Sequence, residues 1–298
     1  MKTLTIFTPA YNRAHTLPRT YHSLCRQTCK DFEWLVIDDG STDNTKTLVE
    51  QWQQENKIPI RYIYQENQGM HGAHNTAYRN ITTELNTCID SDDWMPDTAV
   101  ETIIKTWKEK GNVKCAGIVG LDYNTNKEII GTPFPTTETT LNYFYSHGGK
   151  GDKKLVYRTD IIKKYPEYPI FDGERYFSLG YKYLLIDQDY KLITINKPLV
   201  FVDYQEDGSS YNMWKQYWDN PKGFMYLRKE HMRLYVTKKA RIRSCIHYIS
   251  HCFRARQTRQ LLSNPMPIMT CFLIPIGYLL FIVNQYKVKF NHRMNINQ

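Results

Sequence analysis

EWLVIDDGSTDNTKTLVEQWQQENKIPIRYIY, residues 33–64, reads as strand, helix, strand. EWLVID (33–38) and IRYIY (60–64) are short apolar runs with the β-branched and aromatic content of strands. Residues 43–55 between them have helical length, with Asp43 and Asn44 available as caps. Two strands joined through a helix pair in parallel, because the crossover returns the chain to the same end of the sheet.

The same alternation extends to both sides. LTIFT (4–8) and TCID (87–90) have strand character, and residues 14–29 and 72–82 carry mixed polar sequence of helical length. Repetition of this unit predicts an α/β fold, a mostly parallel sheet with helices on both faces. In open sheets of this kind ligands bind outside the carboxyl ends of the strands. The segments that follow the four strands are TPAYNR (8–13), DDGSTD (38–43), ENQGMHGAHN (66–75) and DSDD (90–93), all polar or glycine-rich, so they are expected to line one crevice.

DSDD raises a question of charge. Asp90, Asp92 and Asp93 stand within four positions at the end of an apolar strand. Mutual repulsion makes such a cluster costly unless a cation offsets it, and Mg²⁺ or Mn²⁺ readily shares one or two carboxylates with the phosphates of a substrate.

Beyond residue 96 the alternation weakens. Residues 97–110 look helical and CAGIVGLDY (115–123) looks like a strand, while GTPFPTTETT and SHGGKGDKK look like loops. LVYR (155–158), KLITIN (191–196) and LVFVDY (199–204) are further strand candidates. Residues 226–262 look helical and basic. MPIMTCFLIPIGYLLFIV (266–283) is uncharged and apolar, with Lys287, Lys289 and Arg293 after it.

The 298 residues can bury a sizeable core, and 23% charged with 14% aromatic residues is a globular composition. A formal net charge of +9 points to an anionic partner. Seven cysteines, an odd number, argue against a disulfide framework, and MKTLTIFTPAYNR has no signal-peptide pattern, so a reducing cytosol is expected. Cys25 and Cys29 lack the second ligand pair of a zinc site. No zinc or RNA-binding motif accompanies the basic helix, so nucleic acid is not the expected partner.

Four segments in this order, TPAYNR, DDGSTDNT, NQGMHGAHN and DSDDWMP, resemble the family 2 glycosyltransferases of GT-A fold. The resemblance is strong over residues 3–100. It continues more loosely through GDKKLVYRTDIIKKYP (151–166), FDGERYF (171–177) and YQEDGSSYN (204–212), which look like bacterial transferases of surface-polysaccharide or lipid-linked glycan synthesis.

The resemblance implies a role for each matching position. Thr8, Pro9, Ala10, Tyr11 and Arg13 would line the nucleotide pocket through backbone groups and the Tyr11 ring. Asp39 matches the acid that accepts a hydrogen bond from the nucleotide base, with Asp38 structural. Gly69 and Gly72 would let the backbone approach the ligand, and Asn75 opens the next helix. Relatives often place Arg or Lys in this loop. Met70, His71 and His74 stand there instead, leaving Arg13 or Arg79 to neutralise the diphosphate.

Asp90 and Asp92 match the Asp-x-Asp motif around Ser91. Asp92 is the implied metal ligand, and Asp90 holds the ribose or the metal shell. An inverting displacement also needs a carboxylate base. Glu174 in FDGERYFSLGY is the candidate, with Asp172 and Asp152 behind it, because Ser178 to Gly180 occupy the place of the second acid found in nearer relatives.

The expected organisation is a GT-A domain over residues 1–225, with a nucleotide-sugar-binding half (1–95) and an acceptor half (96–225). A basic helical and apolar membrane-associating tail follows over 226–298. The apolar run is long enough to cross a bilayer, but its prolines favour a re-entrant or surface-lying segment, and the basic residues before it would meet anionic lipid.

The expected activity is metal-dependent inverting transfer of a hexosyl or N-acetylhexosaminyl group. The donor would be a nucleotide sugar, a UDP-sugar first, and the acceptor a glycan or lipid-linked molecule at the cytoplasmic face of the plasma membrane. The alternatives are a nucleotide-sugar-binding protein that has lost its base and a nucleotidyltransferase on a similar sheet.

Overall fold

The computed structural model describes residues 2–204 and 213–296. Residues 205–212 of the YQEDGSSYN segment, and the side chains of Lys289 and Arg293, lie outside the described residues. The chain divides into two compact units, Met1–Tyr168 with Lys182–Tyr204, and Pro169–Tyr181 with Gln205–Gln298.

The first unit is built on β1 (Leu4–Ala10), α1 (Leu17–Cys25), β2 (Phe32–Asp38), α2 (Thr45–Glu55), β3 (Ile60–Tyr64), α3 (Met70–Asn80), β4 (Leu85–Cys88) and α4 (Ala99–Lys110). It continues with β5 (Cys115–Asn124), β6 (Glu138–Thr139), α5 (Leu141–Ser146), β7 (Lys153–Arg158), α6 (Thr159–Ile162), α7 (Gly180–Ile186) and β8 (Lys191–Val202). The strands form one mixed sheet in the order β3-β2-β1-β4-β7-β5-β8-β6. β3, β2, β1 and β4 run parallel, β7 is antiparallel to both β4 and β5, β8 is parallel to β5, and β6 is antiparallel to β8.

Both faces of the parallel half are covered. Leu4, Ile6, Trp34 and Val36 join the core formed with Leu17 and Tyr21 of α1, Val49 and Trp52 of α2 and Ile103 of α4. The Tyr21 ring stacks 4.3 Å from Trp52. Phe7 alternates to the other face, where it meets His74 and Tyr78 of α3 edge-on at 5.0 and 5.5 Å. Burial on both faces explains why β2 reads as a continuous apolar run.

Three expectations are corrected. KLITIN and LVFVDY are one strand, β8, and the register shifts by which Val119 pairs with Thr194 but Leu121 with Pro198 absorb the proline as a bulge. The expected loop at residues 131–140 contains β6, and between it and the loop at 146–154 lies α5, capped by the Thr140 hydroxyl. The basic stretch is two helices and a short 3₁₀ turn.

The second unit comprises residues 169–181, α8 (Met213–Asp219), α9 (Pro221–Leu234), α10 (Lys238–Arg254), a 3₁₀ turn at Thr258–Gln260 and α11 (Pro267–Ile296). The Thr237 hydroxyl accepts from Ala240 N and starts α10. Met225, Met232, Cys245, Tyr248, Ile249 and Cys252 form its core, against which Phe253, Leu261, Met266 and Leu273 pack. Gly277 lets α11 lie against α10, since a Cβ there would stand 2.5 Å from Ile249. Residue 225, the expected domain boundary, falls inside α9.

Candidate active site

The parallel strands place Asp39 at the end of β2 and Asp90 beyond the end of β4, on either side of β1. The sequence between them is heavily hydrogen-bonded. Asp38 is structural, accepting from Tyr62 Oη at 2.5 Å and Ser41 N at 2.8 Å. Asp39 is buried, and its Oδ1 accepts from Gln65 Nε2 (2.6 Å) and Gln68 N (2.9 Å), which fixes the loop before α3.

Of the TPAYNR segment, Thr8, Pro9 and Ala10 belong to β1, in register with Val36, Ile37 and Asp38. The Thr8 hydroxyl accepts from Trp34 Nε1 and Ala10 O from Asp39 N. The Thr8 hydroxyl and the Ala10 carbonyl thus serve strand structure. Tyr11 is half exposed and offers its ring. Asn12, in the left-handed region at φ 54°, accepts from Thr42 N and stitches the two loops together.

Two residues of the glycine loop, Gly72 and Asn75, have structural partners. Gly72 lies in the first turn of α3, where a Cβ would stand 2.3 Å from Gln68 Cβ, so it serves helix-to-loop packing. Asn75 is buried and its amide is consumed by Tyr168, donating to Tyr168 O at 2.9 Å and accepting from Tyr168 N at 2.8 Å. His74 is fully buried and held neutral, its pKa pushed down to about 4 by burial. Arg79 is bidentate to Glu167. Arg13 is close enough for its charge to act on Asp92.

The acidic turn is shaped from below by α1. Thr20 Oγ1 donates to Ser91 O (3.3 Å) and Asp93 O (2.7 Å), and Arg19 donates to Asp92 O and to Asp203 Oδ2. Ser91 and Asp93 are buried, Asp92 is half-buried and Asp90 is exposed. Burial first and the neighbouring Asp90 second raise the Asp92 carboxyl, and the same causes push Asp93 up to about 8.

The antiparallel strand adds what sequence spacing could not show. Thr87 pairs with Val156, so the residues just after β4 run beside those just before β7, and Asp90 comes level with Lys153, next to Asp152. Leu121 pairs with Lys153, so Asp122 of β5 comes level with Asp152. Asp90, Asp152 and Asp122 thus stand at the ends of three adjacent strands, close enough for the charges of Asp152 and Asp90 to act on Asp122.

Asp152 is exposed and accepts from Tyr204 Oη at 2.7 Å. The turn before it requires glycine: Gly151 has φ 77°, and a Cβ on it would stand 2.4 Å from Ile130 O. The buried Lys153 ammonium ties this turn together through the carbonyls of Ile130, Lys150 and Asp152. Asp122 is buried with Oδ1 lacking a hydrogen-bond partner, and burial raises it to about 7 against the opposing charge of Lys154. Sequence reasoning missed Asp122 and Arg19. A lone acid ending the apolar run CAGIVGL was the available signal for the first.

Glu174 and Asp172 belong to the second unit. Both oxygens of Glu174 are taken at the start of α9, accepting from Lys222 N and Gly223 N at 2.8 Å each. The carboxylate is therefore a helix-terminus acceptor in this structure, which sets it apart from the exposed Asp152 as a base candidate. Burial nevertheless raises its pKa. Among the described residues no cluster of three or more His, Cys, Asp or Glu forms a metal cage. Two cavities of about 720 Å³ lie at the opposite ends of the strands, one beside Glu84 and Arg158, the other beside Lys114 and Tyr190, and no expected site residue lines either.

The family model described as Glycosyl transferase family 2 matches residues 5–166, more than half of the chain. The chain belongs to glycosyltransferase family 2. This family 2 chain is 37% identical to Glycosyltransferase GlyA of Streptococcus pneumoniae over 102 residues, 34% of this chain and 14% of that protein. It is 32% identical to the chondroitin synthase of Escherichia coli over 126 residues, 42% of this chain and 17% of the synthase. The matches thus span under a fifth of the length of these two curated relatives. Among solved structures it resembles S. aureus TarS 1-349 in complex with UDP-GlcNAc, with a TM-score of 0.64 and 17% identity, over 99% of this chain and 92% of that one. That likeness establishes a GT-A-like fold for the family 2 chain.

Proposed function

We propose that the protein is an inverting glycosyltransferase that moves a sugar from a nucleotide-sugar donor, a UDP-sugar first, to a glycan or lipid-linked acceptor. The observation that carries this reading is the acidic group Asp90, Asp152 and Asp122 at the carboxyl end of β4, beside Asp92 and downstream of a buried Asp39. The UDP-GlcNAc bound in the TarS complex supports the donor class.

In this reading Asp39 orients the nucleotide base, Tyr11 covers it and Arg13 meets the diphosphate. Asp90 and Asp92 would hold Mg²⁺ or Mn²⁺. The residues fit such an ion. The Asp92 carboxyl, raised by burial and by the neighbouring Asp90 charge, gains from a cation, and these ions accept few protein ligands when phosphates supply the rest. A bound cation would neutralise the charge developing on the leaving diphosphate.

The acceptor hydroxyl oxygen bonds to the anomeric carbon as the bond to the diphosphate oxygen breaks, and the electron pair leaves with the nucleoside diphosphate. The hydroxyl proton passes to a carboxylate. Asp152 is proposed for this role, being exposed and next to Lys153, the residue level with Asp90, whereas Glu174 has both oxygens engaged. Hexosyl or N-acetylhexosaminyl transfer remains the donor proposal, in surface-polysaccharide or lipid-linked glycan synthesis.

α11 supports a membrane location. Its Pro267–Val288 stretch is long and apolar enough to cross a bilayer, with mean hydropathy 1.9 and only 11% of that window buried. A core helix would hide these side chains. Phe272 and Leu279 are instead 76% and 62% exposed.

The test is a panel of nucleotide sugars offered with metal to the purified protein, read as release of nucleoside diphosphate with and without acceptor. A second reading, a donor-binding protein without transfer, draws on the capped Glu174 and on Ser178 to Gly180. Donor binding without any nucleoside diphosphate release would favour it.

A further inference from the structure

One face of α9 is built differently from the rest of the second unit. Lys222, Tyr226, Lys229 and Arg233 recur at helical spacing and therefore share a face. They line a cavity of about 400 Å³ whose floor is Phe171, Met225 and Tyr248. Glu230 is the one acid on its wall and lies 3.8 Å from Arg233. Lys222 Nζ donates to Asp172 O, and Lys229 has no hydrogen bond or ion pair of its ammonium among the described residues. Three cations around an aromatic floor make a cavity suited to an anion that carries an apolar body.

The far wall is contributed by Gln257 and Gln260. The chain passes from there to Pro267, where the uncovered apolar helix begins. A helix entering a bilayer at that point would put this cavity at headgroup depth.

We infer that the cavity on α9 binds the phosphate of a membrane lipid, the anion among Lys222, Lys229 and Arg233 and the first lipid carbons against Phe171 and Tyr226. The lipid source rests on the proposed membrane location of α11. The charge of the cavity does not, and neither depends on sugar transfer.

The test uses the full chain in neutral detergent, titrated calorimetrically with short-chain phosphatidate and, separately, with inorganic phosphate. Saturable phosphatidate binding, tighter than that of phosphate, is expected. Lys229→Gln with Arg233→Gln should weaken it about 25-fold, roughly fivefold per charge removed. Lys238→Gln with Lys239→Gln removes two exposed charges at the start of α10, outside the cavity, and should leave it unchanged. Tyr226→Leu, which alters no charge, should weaken phosphatidate but not phosphate.

Equal losses from both charge pairs would reduce the effect to diffuse surface charge and overturn the site. Phosphate binding as tight as phosphatidate would make the ligand a free anion and overturn the lipid assignment, and no saturable binding would overturn both. Donor and acceptor are absent throughout, so failure here leaves the transfer reading standing.

Discussion

The guanidinium of Arg19 lies over the indole of Trp94, its Cζ 4.4 Å from the ring centroid. The same group holds the Asp92 carbonyl and the Asp203 carboxylate, so one side chain from α1 fixes the backbone that carries the acids. Arg19→Lys keeps the charge but loses the planar fork that reaches all three. It is expected to lower kcat by about 10-fold or more, since misplacing a catalytic group by an ångström can cost about 10²-fold. Circular dichroism should show the fold retained, and an unchanged kcat would remove Arg19 from any positioning role.

Asp92→Asn removes the acid assigned to the cation. Transfer should fall by roughly 10²-fold or more, in line with the loss of a charge-stabilising contact. Titrating Mn²⁺ against activity checks the assignment. Full activity of the wild type in excess chelator would end it.

Glu174 and Asp152 separate cap from base. Glu174→Gln replaces one of two acceptors at the start of α9 and should lower the unfolding midpoint, by about 1 kcal/mol as for a lost helix cap, with kcat nearly unchanged. Asp152→Asn should do the opposite, depressing kcat while donor affinity and stability stay near wild type. The reverse pattern would return the base to Glu174.

Asp122 gives a pH dependence. Its folded pKa, about 7, is above the ordinary carboxylate range, so the folded state favours the proton. This contribution to stability is full below the unfolded pKa and is lost as pH rises through about 7. The slope from one such group is at most about 1.4 kcal/mol per pH unit. Asp122→Asn should flatten the decline in urea-unfolding stability between about pH 4 and 7 relative to wild type. Parallel pH profiles for the two proteins would show that Asp122 ionises normally.

Much of the first hundred residues was legible because its signals are local. β1 to β4 announce themselves as apolar runs, and the motif segments lie at their carboxyl ends. What was not legible depends on partners distant in sequence. Asn75 looks like a ligand group until Tyr168, 93 positions later, claims its amide. Glu174 looks like a base until Gly223 does the same. The strand break expected at Asn196–Pro198 is a bulge only because β5 runs alongside, and Asn196 is further held by a reciprocal pair of bonds to the Phe134 backbone. Asp152 ranked low because only strand register brings it beside Asp90.

α11 supplies a last test. Phe272→Glu with Leu279→Glu alters two outward positions and leaves the Gly277–Ile249 contact in place. Each charge would cost about 2.5–3.5 kcal/mol in a bilayer interior, so the variant should partition into the soluble fraction on cell lysis while wild type stays with membranes. Equal partitioning of both would argue against insertion.

The order of strands in the sheet also bears on how the chain is made. β5 lies between β7 and β8, both of which are synthesised after it. Until β7 is made the apolar run Cys115–Leu121 has neither edge satisfied, and the edge that takes β8 stays open until Val202, and an unpaired strand of this kind invites association with other chains. The parallel group of β1 to β4 can assemble earlier. A nascent chain released before Val202 would therefore carry a finished parallel half, β1 to β4, and an open, adhesive edge, the condition that recruits chaperones or drives inclusion-body formation.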